Sequence, residues 1–142
     1  MIGIDTGFLL ALPDRRDHWH ASAAAWAPPV AEGWITTWPV LTEGTHLLDR
    51  GLGPLYAQRL LQEVDEGAIT LWDIPRAQLP RLIGLMHLYT SLPMDLADAS
   101  LVLLAEHLGH GRILTTDQRD LGAHRWKSQK PFHNLLDEPA PT

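Results

Sequence analysis

The chain has 142 residues, 45% hydrophobic and 20% charged, which excludes a mainly disordered polymer and fits one domain with a buried core. A formal charge of −6 excludes attachment to nucleic acid by overall charge, so any such contact must be local. With no cysteine there is no disulfide framework, thiolate zinc site or cysteine nucleophile.

A reducing cytoplasm suits this composition. The opening MIGIDTGFLLALP has an early acid and no basic n-region, so no signal peptide is expected. No apolar run reaches the roughly 20 residues that span a bilayer, so no membrane contact is expected.

Ile2 to Asp5 reads as a short apolar strand, followed by a helix over Gly7 to Leu12. Asp17 to Ala27 is Ala-rich and helical, with Trp19 and Trp26 seven residues apart and therefore on one face. Such aromatics mark a candidate dimer or partner surface. Trp34 to Thr37 is β-rich. Pro39 suits a first helical turn, and its helix should stop at Gly51. Pro54 opens another helix, to Glu66, with Gly67 after its end. Ala68 to Asp73 is a third strand. Arg76 to Tyr89 is a helix whose Pro80 favours a later start. Leu96 to Leu108, closed by Gly109, is the clearest helix, and Arg112 to Thr115 is a fourth strand. A short helix near Gln118 to Leu121 and a weak strand over Pro131 to Leu135 follow. Residues 1–136 then form one domain, and 137–142 a frayed tail.

Strands alternating with helices imply parallel pairing, because parallel strands need long crossovers. The expected fold is α/β: a twisted, mostly parallel sheet of four to five strands with helices on both faces. Ligands of such sheets bind outside the carboxyl ends of the strands.

Four acids belong to that edge. Asp5 ends the first strand, Asp117 follows the fourth, Asp98 sits in the first turn of the clearest helix, and Glu43 lies early in the helix after the second strand. Asp5, Asp95 and Asp117 also suit helix N-caps. Asp98 and Glu43 fit a plain capping role less well. Leu101, Leu104, Ala105 and Leu108 form one apolar arc with Asp98 beside it. Val40, Leu41, Leu47 and Leu48 form another, with Glu43 at its border. Converging carboxylates either protonate or bind a cation. All-oxygen ligands suit Mg²⁺, Mn²⁺ or Ca²⁺, whose chemistry on a phosphodiester is hydrolysis.

MIGIDTGFLLALP, TTWPVLTEG, PMDLADASLVLLAEHLG and ILTTDQRDLG, in that order, resemble the successive motifs of PIN-domain proteins, and most closely the VapC-like toxins. The resemblance covers nearly the whole chain. It implies a PIN-like fold and Mg²⁺- or Mn²⁺-dependent endoribonuclease action on RNA, with homodimerisation and inhibition by a cognate antitoxin. It implies that Asp5, Glu43, Asp98 and Asp117 are the metal-binding and catalytic acids. Thr115 and Thr6 match hydroxyl residues of the site, and Asp120 an often acidic position of lesser role. Asp95 is an extra acid without a firm counterpart, a ligand or a cap. Leu121 stands where the family usually has Phe.

RNA helpers are sought among Arg15, Arg16, Arg112, Arg119 and the run HRWKSQK, with Arg125, Lys127, Lys130 and a stacking Trp126. A solvated surface is the simpler account of these charges. Zinc is disfavoured, since the eight histidines include no HExxH spacing and His46 is the one close to a candidate acid. The alternative reading is a catalytically idle PIN-like module that binds RNA or protein. An Asp-nucleophile phosphatase would need a second Asp at position 7, which is Gly, and the early acidic pair and late lysine of a receiver domain are not evident.

Overall fold

The computed structural model describes residues 1–27, 31–88, 94–117, 125–126 and 130–140. Its strands are β1 (Ile2–Ile4), β2 (Trp34–Thr37), β3 (Ile69–Trp72), β4 (Arg112–Leu114), β5 (Arg125–Trp126), β6 (Lys130–Pro131) and β7 (His133–Asn134). The helices are α1 (Thr6–Ala11), α2 (His20–Ala25), α3 (Trp38–Gly51), α4 (Pro54–Asp65), α5 (Leu79–Leu88) and α6 (Leu96–Leu108). Short 3₁₀ turns cover Arg76–Gln78 and Leu135–Asp137.

The main sheet has five strands in the order β3-β2-β1-β4-β7, every pairing parallel. β5 and β6 form a separate antiparallel pair. β1 is central and buried throughout, which its uninterrupted apolar sequence requires. Thr36 Oγ1 donates to the Ile4 carbonyl at 2.8 Å, a side-chain link between β2 and β1.

Local signals account for most boundaries. Pro39 and Pro54 lie in the first turns of α3 and α4. Gly53, at φ 113°, takes the conformation that the sharp α3–α4 turn demands. Pro80 sits in the first turn of α5, so that helix does start late. Gly109, at φ 79°, ends α6 in the left-handed region.

Two expectations need correction. Trp19 and Trp26 flank a helix of only six residues, because the Asp17 carboxylate accepts the Trp19 amide at 2.8 Å and holds a turn there instead. Trp26 is buried in the core and the partly buried Trp19 packs against it, so the two rings do not form a shared exposed face. The single apolar arc of α6 is also too simple. Leu101 and Leu104 face the main core. Val102, Leu103 and Ala105 meet Leu82 and Leu85 of α5 in a second cluster. The Arg81 guanidinium bonds Glu106 at 2.6 Å across the same helix pair. In α3, Leu47 is 41% exposed and takes no part in the core arc.

The chain past Leu136 does not simply fray over its described length: Glu138 bonds His133 at 2.5 Å and Ala140 packs on the core. The short helix expected near residues 118–121 lies outside the described residues. Among the described residues no helix is long and apolar enough to cross a membrane.

Phe8 is fully buried and meets Trp34 edge-on at 5.4 Å between ring centroids. Phe8→Ala should cost about 3–5 kcal/mol of stability, read as a lower urea midpoint at constant slope. A loss below about 1 kcal/mol would place the ring outside the core.

Candidate active site

Strand order reverses beside β1: the chain builds β2 and β3 on one side and β4 and β7 on the other. The carboxyl ends of β1 and β4 therefore open a crevice. Asp5 follows β1 and caps α1, its Oδ1 accepting the Phe8 amide at 2.9 Å. Its other oxygen accepts the hydroxyl of Thr115, the residue after β4. The Thr115 oxygen in turn accepts the Asp117 amide at 2.9 Å. Thr115 is held from behind by Asn134 of β7. The Asn134 Oδ1 accepts the Thr115 amide at 3.2 Å, and its Nδ2 donates to the Thr115 carbonyl at 3.0 Å.

Glu43 on α3 and Asp98 on α6 line the same cleft of about 230 Å³ as Asp5, Thr6 and Asp117. The four acids selected from the sequence thus ring one cavity, and among the described residues no Lys, Arg or His lines it. α6 is anchored there by a buried pair, Ser100 Oγ and Thr37 Oγ1 at 2.6 Å. Ser100 donates to the Ala97 carbonyl, which leaves Thr37 as the donor to Ser100. Gly7 belongs to the site as well, since a Cβ on it would collide with the Thr116 hydroxyl.

Asp95 is the N-cap of α6. It accepts the Asp98 amide at 2.8 Å, and Asp98 reciprocates by accepting the Asp95 amide at 3.4 Å. Asp98 therefore has a capping function beside its place in the cleft, which spacing alone did not reveal. Arg112 is no helper of this cleft: it stands at the start of β4, the far end of the strand, and pairs with Glu32 through both guanidinium nitrogens. Arg15, Arg16 and His46 are exposed. Asp120, Arg119, Leu121 and Lys127, and the side chains of Arg125, Trp126 and Lys130, lie outside the described residues.

Burial drives the Asp5 carboxyl from the ordinary 3.8 up to about 7. The Thr115 and Phe8 hydrogen bonds oppose this, while the charges of Asp117 and Glu43 add to it. Asp98 also rises to about 7, first through burial and then through the charges of Asp95 and Asp117. These two acids resist ionisation because they are buried beside other carboxylates. An all-oxygen donor set of this kind fits a hard divalent cation. Among the described residues no three Asp, Glu or His side chains form a ready-made coordination sphere.

Asn134, Ser100, Thr37 and Gly7 did not stand out in the sequence. The two hydroxyl residues carried a faint signal, polar side chains in otherwise apolar runs. Asn134 carried none, because its role depends on a two-residue strand.

An α/β fold of PIN-like form, with an acid-lined cleft at the carboxyl edge of a parallel sheet, is the class these features define. No family model matches the chain. It is 28% identical over 122 residues to Ribonuclease VapC26 of Mycobacterium tuberculosis (strain ATCC 25618 / H37Rv), covering 86% of this chain and 90% of that protein. Its fold is that of the crystal structure of Mycobacterium tuberculosis VapC20, a sarcin-ricin loop cleaving toxin. The TM-score is 0.75 at 19% identity, over 83% of this chain and 91% of that one. The resemblance to VapC-like PIN-domain proteins thus holds over most of the chain, in sequence and in fold.

The folded protein binds the Asp5 and Asp98 protons more tightly than the unfolded chain, where carboxyls titrate near 3.8. Their stabilisation is complete below that value and is lost as the pH rises through about 7. In EDTA, melting temperature should therefore fall between pH 4.5 and 8, and Asp98→Asn should flatten the fall. A wild-type profile that rises over this range would contradict the assignment.

Proposed function

We propose that the chain is a Mg²⁺- or Mn²⁺-dependent endoribonuclease that hydrolyses RNA phosphodiesters, the toxin of a bacterial type II toxin–antitoxin pair. The observation that supports this reading best is the meeting of Asp5, Glu43, Asp98 and Asp117 around one cleft. The likeness to a VapC ribonuclease over most of both chains supports it too. The cytoplasm, where RNA and an antitoxin protein are both at hand, is the place of action.

These four acids would hold the cation. When bound, it supplies charge neutralisation at the phosphate and a more acidic water. The chain's own contribution is positional. Thr115 fixes the rotation of Asp5, and Asn134 fixes Thr115. The Asp95 cap sets the start of the helix that carries Asp98. One carboxylate of the cleft takes the proton of the attacking water.

Purified protein should cut an RNA from a panel of tRNAs and ribosomal fragments with Mg²⁺ or Mn²⁺, and stop in EDTA. Asp98→Asn should abolish cleavage with the fold intact, whereas Asp95→Asn, which keeps the cap, should retain most of it. Cleavage that survives chelation would reject metal dependence, and no cleavage of any RNA would leave the idle binding module.

The chain acts as a homodimer in this reading. With no shared exposed face at Trp19 and Trp26, the support comes from α5. There Leu79, Ile83 and Met86, at helical spacing, are 49%, 67% and 41% exposed. Light scattering should give twice the 15.8 kDa of one chain, and Ile83→Asp should return it to one. A wild-type monomer at tens of micromolar would reject the dimer.

A further inference from the structure

Trp38 differs from the other described tryptophans. Trp26 is buried, and Trp19, Trp34 and Trp72 pack against the core, whereas Trp38 is 53% exposed. The ring is not loose. Its indole Nε1 donates to Asp73 Oδ1 at 2.7 Å, which fixes the plane while leaving the residue open to solvent.

Its place in the fold is specific. Trp38 opens α3 directly after β2, and Asp73 directly follows β3, so both lie at the carboxyl edge where the acids stand. β2 is the neighbour of β1, whose end carries Asp5. Thr37, the residue before Trp38, bonds Ser100, two positions beyond Asp98. Arg76, exposed, comes three residues after Asp73.

An RNA strand meeting this edge faces an electrostatic problem. The cleft is lined by carboxylates and the chain carries −6, so the phosphate backbone gains little from general attraction. A base stacked on an aromatic ring binds through its neutral face and needs no attraction for the phosphates. We infer that Trp38, oriented by Asp73, is a stacking platform for an unpaired base of the RNA substrate flanking the scissile phosphate, with Arg76 at hand for the adjoining phosphate. This inference rests on the ribonuclease reading. Trp38 acts in substrate positioning and specificity, and the acids act in the chemistry.

The test uses the full-length protein, Mg²⁺ and an RNA that the wild type cleaves. Trp38→Ala should raise KM about tenfold, the scale of one lost stack, with kcat nearly unchanged. Trp38→Phe should restore most of the loss. Thermal unfolding should be unaltered in both, since the side chain is outside the core. Single abasic replacements should be walked along the RNA beside the cut. At one position the replacement should weaken wild-type binding and cancel the difference between wild type and Trp38→Ala. Equal KM for wild type and Trp38→Ala would overturn the inference while leaving the ribonuclease reading intact. So would a Trp38→Ala defect that no abasic position cancels, or one seen only as a changed oligomeric mass, which would make Trp38 a protein-contact residue. If wild type cleaves no RNA, the ribonuclease reading fails and this inference falls with it.

Discussion

A carboxylate buried at the end of the central strand constrains everything around it. Asp5 follows a strand with no exposed residue, and its charge is opposed by burial and by the acids across the crevice. An isolated buried charge would cost several kcal/mol. The bonds from the Phe8 amide and the Thr115 hydroxyl offset part of that cost, yet the acid still titrates near neutrality. The residues behind the cleft, Thr115, Asn134 and Ser100, are spent on holding acids that the fold alone would rather do without. Carboxyls held against their own solvation in this way are candidates for a functional site.

The parallel sheet explains how so many acids reach one edge. Each strand that leads into a helix delivers its carboxyl end and the next helix's amino end to the same side. α1 and α3 begin this way, and the amino end of α6 is brought there by the Thr37–Ser100 bond. Amino ends of helices carry partial positive charge, which favours acids in first turns. Asp5 and Asp95 exploit this as caps, and Asp98 donates its own amide to Asp95. Capping and cleft formation are therefore not rival explanations. Asp5 and Asp98 both take part in capping and line the cleft, whereas Asp95 caps without lining it.

The sheet and the acids were legible in the sequence for this reason. Pro39, Pro54 and Gly109 punctuate helices by local rules, and the residue after each strand is placed by topology. Periodicity failed where burial came from two directions. α6 lies between the main core and α5, so its apolar residues run nearly all round and the arc beside Asp98 was only half of the pattern. The tryptophans of α2 failed for a related reason: spacing gives a shared face but not what the face meets, and a six-residue helix close to the core packs both rings against it. Asn134 and Gly7 were illegible because their partners, Thr115 and Thr116, are more than a hundred positions away for Gly7 and across a strand pairing for Asn134.

The charge pattern also orders binding events on the proposed reading. Arg112, at the other end of β4, is committed to Glu32 and cannot compensate the cleft. Without a cation the crevice presents carboxylates to an incoming phosphate, and two polyanions repel. With a divalent cation in place the local sign is reduced or reversed, while the acids become ionised partners instead of reluctant ones. Cation and RNA then favour each other's binding, and by linkage the coupling is the same in both directions. A cleft that cannot hold substrate phosphate until it is loaded confines hydrolysis to the complete assembly. What affinity the empty protein has for RNA must come from surfaces that do not depend on the sign of the cleft, and a neutral aromatic face on the same sheet edge meets that condition.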